Sequence, residues 1–152
     1  MAPRSAVKRT KKQRGIAEGY RSGLEEIVAE QLQDAGIKAQ YEPFKIEYEV
    51  PASVHRYTPD YVLPNGIIIE TKGRFVSADR KKHKLIKEQY PDLDVRFVFS
   101  NSRGKISKAS KTTYGMWCEK YGFKYADRLV PEDWLHEKIP TKSKSLIGRF
   151  AA

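Results

Sequence analysis

A chain of 152 residues and 17.5 kDa, 39% hydrophobic with 11% aromatics, suffices for one ordinary core and is too short for two full domains. Its +10 charge and pI near 9.6 point to a polyanionic partner, nucleic acid ahead of an anionic membrane surface. The longest apolar stretches, 66–69 and 97–99, fall far short of the roughly 20 residues of a membrane span, and the single Cys118 excludes an internal disulfide or a cysteine zinc cluster, so a reducing, cytoplasmic setting without membrane insertion is expected.

Residues 1–20 read as a basic arm, with Lys8, Arg9, Lys11, Lys12 and Arg14 and no sustained apolar period. The domain proper is expected over 21–138. Leu24, Ile27, Val28 and Leu32 fall at helical spacing between Ser22, a possible cap, and Gly36, which predicts an amphipathic helix over 22–35. Residues 39–50 alternate large and charged side chains as a half-solvated strand does, with Pro43 near its edge or start and Pro51 ending it. Residues 57–63 and 67–72 read as a hairpin around Pro64-Asn65-Gly66, the second arm buried and β-branched. A strongly basic helix follows over 77–90, with Leu85, Ile86 and Tyr90 as its core side, then a buried strand over 95–99 and a loop over 101–112. Tyr114, Trp117, Cys118 and Tyr121 form a core-facing helical stripe, and Pro131 before Glu132 and Asp133 starts a helix whose Trp134 and Leu135 pack inward. Residues 139–152 form a basic tail. The order helix, three strands, helix, strand, helix predicts a mixed-sheet α/β domain.

The Pro64-Asn65-Gly66 turn decides which side chains meet. A three-residue loop pairs Leu63 with Ile67 and sets Asp60 opposite Glu70, on the same face with Cβ atoms about 5 Å apart. A two-residue loop would oppose Asp60 to Ile69 instead. Pro, Asn and Gly suit the successive positions of the three-residue loop. Lys72, two residues beyond Glu70, shares its face. Two converging carboxylates repel unless a cation lies between them, and hard oxygen donors favour magnesium or manganese. A divalent-metal site with an ammonium beside it fits phosphodiester hydrolysis. The competing explanation is a cross-strand carboxylate pair that Lys72 neutralises. Glu25 is equally open, because Ser22-x-x-Glu25 is also a capping-box spacing. Arg80, Lys81, Lys82 and Lys84, with Arg103, Lys105, Lys108 and Lys111, are either solvated faces or phosphate contacts; as a group following the proposed site they favour phosphate. His55, His83 and His136 lack ligand spacing, and only His83 sits within the basic helix.

The segments RSGLEEIVAEQL, VPASVHRYTPDYVLPNGIIIETKG, DRKKHKLIKEQYPDLDVRFVFS and YGMWCEKYGFKYADRLVP, in order and spacing, resemble the T-odd phage endonuclease I family, Holliday-junction resolvases of the restriction-endonuclease-like PD-(D/E)xK superfamily. The resemblance covers roughly residues 20–138. It implies a restriction-endonuclease-like mixed sheet flanked by helices, and a domain-swapped homodimer whose subunits exchange the first helix and strand, with residues 50–57 as the bridge. It also implies Mg2+, with Mn2+ substituting, one or two ions per active site, and paired nicks in four-way junctions and other branched DNA, in the cytoplasm of an infected host cell. By the same resemblance Glu25, Asp60, Glu70 and Lys72 are the catalytic residues, and Glu25, Asp60, Glu70 and the Thr71 carbonyl the metal ligands. The alternatives are a less structure-selective nuclease of the same fold and a non-catalytic DNA-binding or packaging protein.

Charge is unevenly distributed. Residues 22–71 carry nine acids against three bases, and residues 72–111 twelve bases against four acids. The candidate metal ligands therefore lie in the acidic half, and the candidate DNA grip lies in the arms and the segment after the hairpin.

Overall fold

In the computed structural model, which describes residues 23–50, 52–138 and 141–151, chain order runs α1 (Gly23–Asp34), β1 (Gln40–Tyr41), β2 (Ile46–Val50), β3 (Ser53–Tyr57), β4 (Tyr61–Val62), β5 (Ile68–Lys72), α2 (Ser77–Gln89), β6 (Val95–Phe99), α3 (Tyr114–Tyr121), β7 (Tyr125–Asp127), α4 (Glu132–His136) and α5 (Thr141–Ala151). Five strands form one mixed sheet in the order β1-β4-β5-β6-β7, antiparallel through β5 and parallel beyond it; β2 and β3 pair separately. The basic arm and Ser22, the expected cap, lie outside the described residues.

Period-two alternation divides the core between the two sheet faces. Ile68, Phe97 and Phe99 face α2 and α3 and pack with Phe75, Ile86, Trp117 and Phe123; Ile69 and Val98 face α1 and α4 and pack with Leu24, Val28, Leu32 and Trp134. A central strand buried on both faces reads as a continuous apolar run, which is why β6 and the start of β5 lack polar alternation. Arg96 is the exception on β6. It is buried, bonds Asp94 and Glu137 at 2.7–2.9 Å, and ties the start of β6 to the segment after α4.

The hairpin register is the one the three-residue turn demands. Tyr61 pairs with Ile69 and Val62 with Ile68, the Leu63 amide donates to Ile67 at 2.8 Å, and the Gly66 amide donates back to Leu63 at 2.9 Å. Gly66 takes φ +92°, and a Cβ there would lie 3.3 Å from the Lys144 backbone on α5. Gly66→Ala is therefore expected to destabilise the fold by more than about 1 kcal/mol, read as a lower urea midpoint.

Two expectations are corrected, for the segments 39–50 and 139–152. The strand expected over 39–50 is two strands in different sheets, because Glu42 at φ +43° and Pro43 break the ladder between them. Residues 50–57, the bridge expected in an exchanged dimer, form a hairpin within this single chain: Val50 pairs with Ser53 and Ile46 with Tyr57. Burial of Ile46, Tyr48 and Tyr57 in the α2-side core holds it down, and Gln89 clamps β2 through two 2.6 Å bonds to the Glu49 backbone. The tail expected over 139–152 is helical over Thr141–Ala151, with Phe150 packed against Tyr90 and Phe44. The other helices stand close to their expected bounds; Thr113 caps α3 at its start and left-handed Gly122 ends it.

Candidate active site

The β4–β5 hairpin brings Asp60 and Glu70 to one end of the sheet. Pro59 interrupts the strand between Tyr57 and Tyr61, so Asp60 enters as a bend rather than a ladder residue. Its Oδ2 accepts from the Thr71 amide at 2.9 Å and the Thr71 hydroxyl at 3.1 Å, while its own amide donates to Glu70 Oε1 at 3.1 Å. The two acidic residues thus interlock through β5. Both are buried. Burial first, and the Asp60 charge second, push the Glu70 carboxyl up to about 8 against the opposing pull of Lys72 and of hydrogen bonds from Tyr57 and the Asp60 amide.

Lys72 lies on the Glu70 face at the end of β5, with its ammonium 3.7 Å from Asp79 Oδ2 on the first turn of α2. Sequence reasoning missed Asp79, although its place in the first turn after the strand was a usable signal. It also missed two tyrosines. The Tyr57 hydroxyl donates to Glu70 Oε1, and the Tyr41 hydroxyl donates to Glu25 Oε2 at 2.8 Å. Nothing in residue spacing announces either bond, because each joins residues from different elements.

Glu25 is buried on α1, on the Ile69 side of the sheet, where the Tyr61 hydroxyl also donates to its carbonyl at 3.0 Å. Burial, then the bond to Glu25, then the charges of Glu25, Glu42 and Asp60 hold the Tyr41 phenol above its ordinary value, so Glu25 and Asp60 both lie within electrostatic reach of one ring. Among the described residues no three His, Cys, Asp or Glu side chains form a ready-made metal cluster. Asp60 and Glu70 come together directly, and Tyr41, bonded to Glu25 and within reach of the Asp60 charge, links Glu25 to them. Two adjacent carboxylates supply hard oxygen donors of the kind that suit magnesium, which keeps several waters and seldom uses a dedicated cage. Burial first, and the Asp60 charge second, disfavour the ionised form of Glu70, and a cation bound beside it would favour that form.

The basic helix is largely engaged with the protein itself. Arg80 donates to the Phe75 carbonyl at 2.5 Å and the Ile106 carbonyl at 3.4 Å, tying α2 to the loop before α3. Lys84 lies 4.4 Å from the Tyr121 ring centre, and Lys82 lies 4.0 Å from Asp79 and 5.6 Å from the Tyr57 ring centre. Lys81 is exposed, as are Arg103, Lys105, Lys108 and Lys111 on the loop. Lys8, Arg9, Lys11, Lys12 and Arg14 lie outside the described residues. His83 is a core residue: it is buried edge-on against Tyr57 and Phe97, and burial, with Lys72 and Lys82 nearby, holds it well below its ordinary value and neutral.

A family model described as phage endonuclease I matches residues 1–150. The chain is 58% identical over 118 residues to Endonuclease I of Escherichia phage T7, covering 78% of this chain and 79% of the relative. It is 59% identical over 112 residues to Endodeoxyribonuclease 1 of Enterobacteria phage T3, covering 74% of each.

Proposed function

Since this chain belongs to the phage endonuclease I family and is an endonuclease, we propose that it is a magnesium-dependent, homodimeric resolvase that makes paired nicks in four-way junctions and other branched DNA. The observation that carries the reading is the hairpin register that interlocks Asp60 with Glu70 and sets Lys72 beside them. Kinship with two phage endonucleases removes the non-catalytic alternative. The cell compartment that fits a phage nuclease is the cytoplasm of the infected host; no described helix is long and apolar enough to cross a membrane.

Asp60, Glu70 and the Thr71 carbonyl would hold the ion, which when bound supplies charge neutralisation at the scissile phosphate and acidifies water at neutral pH. Lys72 orients the attacking water and stabilises charge that develops on the phosphate, with Asp79 holding the ammonium on station. Glu25 would complete a second ion site or orient that water. Attack by water with departure of the 3' oxygen leaves 5'-phosphate and 3'-hydroxyl ends. The exposed cations of the 103–111 loop, together with the basic residues of the 1–20 segment, grip phosphates without reading sequence.

Exchange of α1, β1 and β2 between subunits draws support from the β2–β3 turn. Ala52 sits at φ +77°, a conformation that costs a side-chain-bearing residue about 1–2 kcal/mol. Short turns under strain favour exchange, because opening them releases the strain.

Incision mapping on an intact junction, a linear duplex and a nicked duplex, across a magnesium titration, tests the proposal. Symmetric nicks flanking the branch point are expected, with none in chelator and far fewer on linear duplex. Equal cutting of all three substrates would replace the resolvase with an unselective nuclease of the same fold.

A further inference from the structure

Tyr57 ends β3 with its ring in the apolar core and its hydroxyl at the carboxylate pair. The ring is 1% exposed. His83 packs edge-on against it at 5.2 Å and 84°, and His83 is itself wedged against Phe97 at 4.9 Å and 85°. The Lys82 ammonium stands 5.6 Å from the ring centre. Among the described residues both His83 nitrogens are buried without a hydrogen-bond partner, so packing holds this imidazole and it acts as a wall. A ring enclosed this way cannot swing without displacing the core of α2 and β6. Its hydroxyl is therefore a fixed point.

That fixed point meets Glu70. The Tyr57 hydroxyl and the Asp60 amide both donate to the same oxygen, Oε1. Two donors on one oxygen set the rotation of the carboxylate plane, and the remaining edge of Glu70 is oriented before any cation arrives. Packing needs none of this, because phenylalanine would fill the same space against His83. The hydroxyl instead faces a buried anion that already has a second carboxylate nearby, which is costly for folding and useful for holding a cation.

We propose that Tyr57 is a positioning residue of the metal site, holding Glu70 in its ligand orientation through the hydrogen bond to Oε1, with His83 as the packing wall that keeps the phenol in place. The proposal rests on the metal-dependent reading above. Outer hydrogen-bond partners of metal ligands typically govern affinity by about 10–100-fold.

The test uses the full-length protein and Mn2+ as probe. Tyr57→Phe keeps the ring and its contacts and removes only the hydroxyl. Calorimetric titration without DNA is expected to show Mn2+ binding weakened by about tenfold, with junction affinity in chelator unchanged and nicking largely recovered at saturating Mn2+. The Mn2+-induced rise in thermal midpoint should shrink in step. Added to Glu70→Gln, Tyr57→Phe should weaken Mn2+ no further, since its effect passes through Glu70. A folded Tyr57→Phe that binds Mn2+ as tightly as the parent would overturn the assignment while leaving the metal-dependent reading intact, and so would an equal loss of affinity in the Glu70→Gln background. A parent protein that binds no Mn2+ would overturn both readings together.

Discussion

Glu70→Gln is expected to lower nicking of a four-way junction in magnesium by about a thousandfold or more, and at the same time to make the metal-free protein more stable. The two effects share one cause. Glu70 is buried against Asp60, and its folded-state carboxyl is pushed from 4.5 up to about 8. The folded chain therefore holds this proton more tightly than the unfolded chain does. Its stabilising share is complete below the ordinary carboxylate value and is lost as pH rises through about 8. Glutamine keeps an oxygen to accept from Tyr57 and from the Asp60 amide, and carries no charge to lose a proton from. Thermal unfolding in chelator should accordingly show the variant and the parent alike near pH 4.5, with the variant progressively ahead toward pH 8. Added magnesium should raise the parent's midpoint far more than the variant's, whose remaining carboxylate leaves only weak residual binding. A variant that is active in magnesium would remove Glu70 from the ligand set. One that is less stable than the parent at pH 8 in chelator would show that the carboxylate pair is a structural ion network rather than an undercompensated site.

The hairpin carried most of what could be read in advance, because its information is local. Pro64, Asn65 and Gly66 fix the turn; the turn fixes Leu63 opposite Ile67; and the register then brings Asp60 to Glu70 with no knowledge of the rest of the fold. α1, α2 and α3 were legible for a similar reason, each having an apolar stripe and punctuation at its end. What escaped depends on distant partners. Glu42 adopts a left-handed backbone and splits an alternating segment between two sheets. β7 is three residues long and exists because it lies beside β6. α5 had a signal, Leu146, Ile147 and Phe150 at helical spacing, but its charge drew attention instead. Arg80 illustrates the limit for DNA contacts: sequence offers a cation, and the fold spends its guanidinium on two carbonyls. Tyr57 and Tyr41 illustrate it for the site, since a phenol is silent until its acceptor arrives from another element.

Mixing Glu25→Ala and Lys72→Ala chains during refolding is expected to restore nicking that neither variant shows alone. The expectation follows from exchange at the β2–β3 turn, which lies between α1 and the Asp60–Glu70 hairpin in sequence. If α1 of one subunit serves the hairpin of the other, each homodimer carries the same defect in both sites. In a heterodimer one site receives intact Glu25 on α1 from the Lys72→Ala chain and intact Lys72 from the Glu25→Ala chain, while the other site collects both defects. Random pairing makes half of the dimers mixed with one working site each, so nicking should recover to about a quarter of the parent's. Because each such dimer has a single active centre, a supercoiled cruciform plasmid should yield nicked circles and little linear product, which separates true complementation from contamination by parent protein. Without exchange, every site in every dimer keeps one defect, and the mixture stays as inactive as its components. That outcome would mean that Glu25 acts within its own chain, where Tyr41 already holds it near Asp60, and that the strain at Ala52 serves the hairpin alone.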